Sequence, residues 1–232
     1  MILKRTGARV TVTAADLRLD LLEIRAFCER LSQKLAGLDA PLSCIDHTRQ
    51  VLPELLLNRE LLKRIVHNIV SGEPYPDVRR PTMFDNELIL YVHPANLFSL
   101  RLYLWGAGEF TTPHDHNAWG VIGAAMEGYE VTNYRRVDDG SREGYAVLEE
   151  VSRLSLKAGE TAFTLAFDEG IHMTGNAGPD TIATLHLYGK SHPRGYLNCY
   201  DMAGSRVHRL YPPRVKKKTL AAQVLTKLQG QT

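Results

Sequence analysis

GEFTTPHDHNAWGVIGAAMEG, residues 108–128, is the stretch of sequence that decides the fold. It carries His114 and His116 two residues apart, in an apolar run typical of a β-strand. Because strand side chains alternate between two faces, both imidazoles should point the same way. Two imidazoles on one face make half of a metal site. The pattern therefore predicts that a further ligand comes from another strand.

A second stretch, GIHMTGN at residues 170–176, offers that ligand as His172, which Asn176 follows four residues later. Together the two stretches resemble the motifs of the cupin superfamily. The first cupin motif reads Gly, five residues, His-x-His, three or four residues, usually Glu, six residues and Gly; the second has Asn four residues after a His. The positions in register are Gly108, His114, His116, Gly128, His172 and Asn176. The resemblance implies a mainly β fold, a double-stranded β-helix or jelly-roll barrel that holds a metal inside.

The position of the motif's glutamate is the main departure from the cupin pattern. It falls at Val121 or at Gly120, depending on the spacing, so neither option supplies a carboxylate. Three acidic residues lie nearby without the motif spacing: Glu109, Glu127 and Glu130. The sequence therefore favours a single metal held by three neutral imidazoles, those of His114, His116 and His172.

A third pattern, Thr184-Leu-His186-Leu-Tyr188, puts three polar side chains on one face of a strand. It resembles the Ser-His-Tyr row of the thiol dioxygenases, the family of cysteine dioxygenase and 3-mercaptopropionate dioxygenase, with Thr184 in the serine position. The likeness covers about residues 80–202. No cysteine lies within the first motif to crosslink with Tyr188. That is a feature of the bacterial mercaptopropionate branch.

The resemblance to thiol dioxygenases implies an activity and a cofactor. One mononuclear Fe(II) would bind the three histidines, and O2 would be the co-substrate, both of its atoms passing to the sulfur of a small thiol to give a sulfinic acid. The catalytic residues it implies are Tyr188, as a hydrogen-bond donor, with His186 and Thr184 behind it. The ligands alone do not select iron, because imidazole also suits copper, nickel and zinc.

The substrate's polar end is predicted less directly. Both branches hold a substrate carboxylate with an arginine, and the cysteine branch's position is Leu88 here. Arg194 is the first candidate, because it follows Tyr188 in the region of the mercaptopropionate branch's arginine. Arg101 is the second, since it shares a strand face with Ser99 and Tyr103. A small thiol other than cysteine or 3-mercaptopropionate remains an open alternative.

Two hypotheses from other classes remain open. One is a three-histidine cupin enzyme acting on carbon substrates, as a dioxygenase or an isomerase. The other is a non-catalytic cupin that binds a small molecule. Thiol-dependent oxygen uptake would distinguish the first hypothesis from a thiol dioxygenase, and absence of turnover would favour the second.

Composition limits the remaining possibilities. The 232 residues, 44% hydrophobic and 23% charged, are typical of a globular protein, and a net charge of +2 gives no reason to expect a nucleic-acid partner. No signal peptide or membrane span is recognisable. Three cysteines cannot all pair, which is typical of reduced thiols. We therefore expect a cytoplasmic protein whose partner is its small thiol; the sequence does not determine the oligomeric state.

Three segments are expected along the chain. Residues 1–80 should form a helical cap or scaffold packed on the barrel, with helices near 16–36 and 46–71 and a break near Pro53. Residues 81–212 should form the barrel, and residues 213–232 a basic C-terminal tail. Seven strands are predicted, near residues 87–93, 98–105, 119–126, 128–135, 146–154, 161–167 and 181–188.

Overall fold

The computed structural model describes residues 16–77 and 82–229, so the expected boundary at residues 80 and 81 lies outside the described residues. These ranges contain five α-helices: α1 (Asp16–Leu35), α2 (Pro41–Val51), α3 (Pro53–Leu56), α4 (Arg59–Ser71) and α5 (Pro213–Gln229). No helix among them is long and apolar enough to cross a membrane.

Local chemistry explains where the N-terminal helices begin and end. The break expected near Pro53 is confirmed, since α2 ends at Val51 and α3 begins at Pro53. Proline has no N–H to donate within a helix, so it is tolerated at the first helical position. The helix before it starts earlier than expected, with Pro41 in its first turn. Helix α4 is capped by the Asn58 side chain, which accepts from the N–H of Leu61, and ends at Gly72 in the left-handed conformation.

Ten strands form the β part of the described chain. They are β1 (Glu87–Val92), β2 (Phe98–Trp105), β3 (Gly120–Ala124), β4 (Tyr129–Arg136), β5 (Leu148–Leu156), β6 (Thr161–Thr164), β7 (Ile171–Asn176), β8 (Ile182–Gly189), β9 (Leu197–Asp201) and β10 (Arg206–Leu210). All seven predicted strands are present. Strand β7 corresponds to the further strand that was expected to supply His172, and the sequence prediction missed β9 and β10, which are five residues each and rich in polar side chains.

The strands form a jelly-roll barrel of antiparallel sheets, which confirms the predicted mainly β fold with N-terminal helices. One sheet has the order β1-β2-β8-β3-β6, the second β5-β4-β7, and β9 pairs with β10. Strand β8 illustrates the layering: Leu185 and Leu187 pack with the buried leucines of the helices. The alternate residues Thr184 and His186 are also buried, on the barrel side. The helices thus cover the outer face of the five-stranded sheet.

The β4–β5 connection is held by Asp138. Its carboxylate accepts hydrogen bonds from Arg136 Nε and Nη2, at 3.0 and 2.8 Å, and from the N–H groups of Gly140 and Val147. The Asp138 side chain is 10% exposed. The hydrogen bonds from Arg136 hold the pKa of this carboxyl well below its usual range.

We predict that Asp138→Asn lowers the free energy of unfolding by about 1.5–3 kcal/mol at pH 7, the usual effect of a hydrogen bond to a charged group. The native pKa is depressed, so this stabilisation is present above the unfolded-state pKa of about 3.9 and is lost as the pH falls below it. Urea unfolding of the metal-free protein at several pH values measures the difference. The exposed Glu143 offers a control, Glu143→Gln. A difference from wild type that is independent of pH would contradict the prediction.

Candidate metal centre

The three predicted ligands meet inside the barrel. One nitrogen of each of His114, His116 and His172 lies within 4.8 Å of the others, and all three residues are buried. An antiparallel bridge aligns the two segments, with the N–H of His114 donating to the carbonyl of His172 at 2.9 Å and the reverse bond at 3.0 Å. His114 and His116 lie between β2 and β3 in an irregular segment instead of a regular strand. The barrel thus brings the two histidine-bearing stretches together.

Backbone carbonyls orient two of the imidazoles. Nδ1 of His114 lies 2.9 Å from the carbonyl oxygen of Thr112, and Nδ1 of His116 lies 2.9 Å from that of Gly170. A carbonyl can only accept, so each Nδ1 carries the proton and each Nε2 keeps its lone pair. That is the arrangement found around metal-binding histidines, whose second nitrogen is held by a hydrogen bond.

Two nitrogens of the cluster are buried without a hydrogen-bond partner: Nε2 of His116 and Nδ1 of His172. A buried polar atom without a partner is costly, and coordination would remove that cost. Burial also lowers the pKa of all three imidazoles, and repulsion between neighbouring imidazoles adds to this at His116 and His172. Each therefore stays in the neutral form that binds a cation. The residues present fit a single metal ion.

Among the residues that the structure describes, no carboxylate joins the three histidines. At the motif's glutamate position, Val121 packs into the core beneath the helices. Gly120, the other possible glutamate position, lies against Tyr188: a Cβ at residue 120 would be 2.7 Å from the ring of Tyr188, which is too close for carbon atoms. The glycine leaves the space that this phenol occupies.

The cavity beside the cluster has a volume of about 490 Å³. Its lining includes His114, His116, Arg101, Tyr103 and Tyr188. Among the described residues that line the cavity, Arg101 is the one arginine, and none is a lysine, aspartate or glutamate. The cavity is therefore suited to a small molecule with a negatively charged end.

The predicted polar row is present in altered form. Tyr188 Oη lies 3.2 Å from His186 Nδ1, and His186 Nε2 lies 3.2 Å from the hydroxyl of Tyr129. Thr184 is not the third member, because its hydroxyl accepts from Trp105 Nε1 at 3.0 Å. The expectation for Thr184 is thus corrected: Tyr129, on the neighbouring sheet, takes the place assigned to it. No motif spacing marks Tyr129 in the sequence.

Arg194, the first candidate for the substrate carboxylate, has a different partner. Its two terminal nitrogens bind the carboxylate of Asp115 at 2.8 and 2.6 Å, and its guanidinium lies 4.9 Å from the ring centre of Phe167 and 5.0 Å from that of Tyr196. Asp115 is fully buried and also accepts two hydrogen bonds from Asn198. Arg194 is absent from the cavity lining, so its expected role in substrate binding is not supported by its position.

Arg101, the second candidate, does line the cavity. Its Nε donates to Ser99 Oγ at 3.1 Å, and its Nη1 donates to the buried carboxylate of Glu87. The guanidinium carbon lies 5.2 Å from the ring centre of Tyr188. Arg101 is thus fixed beside the phenol, with Nη2 left for a ligand. The geometry ranks it above Arg194.

No protein-family model matches this sequence. Among the solved structures that this chain is similar to, three have a TM-score of 0.33. A Cupin 2 conserved barrel domain protein from Salinispora arenicola is 16% identical over 50% of this chain and 87% of that one. A conserved protein with a double-stranded β-helix domain from Klebsiella pneumoniae is 13% identical, and the match covers 61% of this chain and 93% of that one. KdgF from Halomonas sp. is 17% identical, and the match covers 46% of this chain and 79% of that one.

We predict that changing His114, His116 or His172 singly to Ala strongly lowers the metal affinity. Loss of a residue that only supports a ligand typically lowers affinity about 10- to 100-fold, and loss of a ligand should lower it further. Metal content after dialysis against a chelator measures the loss. His192→Ala is the matched control, since His192 lines the same cavity outside the cluster and should keep the metal. Full metal content in His172→Ala would contradict the assignment.

Proposed function

We propose that this protein is an Fe(II)-dependent thiol dioxygenase that converts a small thiol and O2 into a sulfinic acid. The observation that carries the proposal is the proximity of a three-histidine cluster without a carboxylate to the Tyr188–His186 pair in one cavity: the rings of His116 and Tyr188 stack with their centres 6.0 Å apart. The reaction is balanced without another reductant, because sulfur loses four electrons and O2 gains four.

Three neutral imidazoles suit this chemistry. The iron would be held by His114, His116 and His172. When bound, iron would allow electrons to pass between a thiolate and O2, which zinc does not. Because these ligands bring no negative charge, the charge of the divalent ion remains for the substrate. A thiol loses its proton more readily beside such a charge.

Arg101 is the residue that we propose to bind the substrate's other end. Guanidinium matches a carboxylate in shape and charge, and the contacts with Ser99, Glu87 and the Tyr188 ring hold it in place before the substrate arrives. A fixed guanidinium loses little conformational entropy on binding. The proposed substrate is therefore a small thiol carboxylate.

Tyr188 would act as a hydrogen-bond donor. Burial raises the pKa of its phenol to about 12, so the group keeps its proton at neutral pH. A protonated phenol between Arg101 and the histidine cluster can donate to the reacting sulfur or oxygen atoms.

The direct test is oxygen uptake by the iron-loaded protein with a panel of small thiols. We expect uptake with a carboxylate thiol such as 3-mercaptopropionate, and a product that has gained two oxygen atoms by mass. Oxygen uptake with a diketone and none with thiols would instead favour carbon chemistry at the same three-histidine site. A metal-loaded protein that turns over neither substrate would favour a binding function.

We predict that Arg101→Gln raises KM for a carboxylate thiol by about 10- to 150-fold, the equivalent of one charge-assisted hydrogen bond. KM for a neutral thiol such as 2-mercaptoethanol should change little, because that substrate makes no such contact. Since Arg101→Gln leaves Glu87 buried without its partner, the double variant Arg101→Gln/Glu87→Gln should show the same selectivity with a neutral pair. Arg135→Gln, an exposed strand position, is the control. Equal KM changes for both substrates would contradict a carboxylate contact.

We also predict that Tyr188→Phe keeps the metal and slows sulfinate formation by about 10²- to 10⁴-fold, the range of general acid–base contributions. Sulfinate yield per O2 consumed, measured with metal content on the same sample, separates chemistry from metal loss. Wild-type rate and yield in the variant would remove the phenol from the mechanism.

A further inference from the structure

The cavity beside the histidine cluster has a deep part and a mouth. The deep part consists of buried and half-buried residues: Arg101, Tyr103, His114, His116 and Tyr188. The mouth consists of exposed loop residues: Asn96, Ser191, His192, Pro193 and Gly195. The volume of about 490 Å³ lies within the range of roughly 300–1,000 Å³ that is typical of sites for drug-sized ligands. A thiol as small as 3-mercaptopropionate would therefore occupy the deep part and leave the mouth to solvent.

Asn117, the residue after His116, lines this cavity and carries an acceptor without a partner. Its Nδ2 donates to the carbonyl oxygen of Tyr196 at 2.9 Å. A carbonyl can only accept, so the amide nitrogen must face Tyr196, and Oδ1 is the other end of the side chain. Among the described residues, this buried Oδ1 has no hydrogen-bond donor. An unpaired buried acceptor is costly, and an N–H group of a ligand in the cavity would satisfy it.

The charge of the lining decides which kind of N–H group fits. The described lining contains one arginine, Arg101, and no aspartate or glutamate. An ammonium group would therefore lie in the same cavity as a guanidinium, with no carboxylate of the protein to compensate its charge. Moving such a group out of water is expensive, whereas an amide N–H donates a hydrogen bond without carrying a charge. The lining thus favours an amide over an amine.

The mouth of the cavity suits the acyl half of such an amide. The loop after β8 forms one wall of it, with the hydroxyl of Ser191, the imidazole of His192 and the ring of Pro193. The backbone N–H of His192 donates to the carbonyl of Asn117 at 2.7 Å, and its ring centre lies 4.9 Å from that of Phe167. These contacts hold the wall directly beside Asn117. A short acyl group attached to the amide nitrogen can pack there.

We infer that the substrate is an N-acylated thiol amino acid, such as an N-acylcysteine, whose amide N–H binds Asn117 Oδ1 and whose acyl group occupies the mouth. Its carboxylate binds Arg101, and its sulfur faces the histidine cluster. Asn117 is then a specificity-determining residue, which selects an amide at the carbon atom next to the carboxylate. The inference rests on the proposed function only for the oxidation of the sulfur, because recognition of the amide and the carboxylate needs no turnover.

The first experiment measures recognition without chemistry. Calorimetric titration of the metal-free, full-length protein compares N-acetylalanine, alanine and propionate, which all lack sulfur. We expect N-acetylalanine to bind about 2- to 12-fold more tightly than propionate, the equivalent of one neutral hydrogen bond, and alanine to bind most weakly. Absence of N-acetylalanine binding, or binding no tighter than that of propionate or alanine, overturns the inference.

The second experiment removes the acceptor and, separately, fills the mouth. In Asn117→Ala and in Ser191→Trp, the preference for N-acetylalanine over propionate should disappear while propionate keeps its affinity. The ratio of the two affinities separates recognition from structural loosening, since loss of the Tyr196 contact alone would weaken both ligands alike. His67→Trp, at an exposed position of α4, is the control and should keep the wild-type ratio. Retention of that ratio in Asn117→Ala overturns the inference, and Ser191→Trp decides it if Asn117→Ala does not fold.

The third experiment separates this inference from the proposed function. With the iron-loaded protein, kcat/KM for oxygen uptake should be higher with N-acetylcysteine than with 3-mercaptopropionate or cysteine. A higher value with 3-mercaptopropionate or cysteine overturns the inference and leaves the proposed function in place. Selective binding of N-acetylalanine together with no turnover of any thiol supports the inference about recognition and contradicts the proposed function alone.

Discussion

The antiparallel bridge between His114 and His172 is the contact on which the candidate site depends. Two reciprocal backbone hydrogen bonds join the segment between β2 and β3 to strand β7. Strand β7 is itself paired with β4 along its whole length, so one ligand is anchored in a sheet and aligns the other two. The carbonyl of Gly170, just before β7, then orients His116. Backbone pairing thus sets the positions of all three imidazoles.

Close backbone approach makes that pairing possible. A Cβ on Gly175 would lie 2.3 Å from the carbonyl oxygen of Glu109, and one on Gly170 would lie 1.9 Å from that of Leu165. Only glycine permits such contacts. The motif glycines Gly108 and Gly128 instead serve turns, with φ of +71° and +98°. Glycines far apart in the sequence therefore have two separate functions around one site.

Features that depend on local pattern were predictable from the sequence, and those that depend on distant pairing were not. Spacing identified the histidine cluster, and alternation along β8 placed His186 on the inner face. Tyr129 could not be recognised, because its role arises only when β4 faces β8 across the barrel. The partner of Arg194 was equally hidden, because only the fold brings Asp115 to the loop after β8.

The Asp115–Arg194 pair joins the ligand segment to the rim of the cavity. Asp115 lies between His114 and His116, while Arg194 belongs to a loop whose neighbouring residues, Pro193 and Gly195, line the cavity. This loop cannot swing outward without breaking a buried bidentate ion pair, and breaking such a pair costs about 3–5 kcal/mol. The pair therefore fixes this part of the cavity rim relative to the segment that carries His114 and His116.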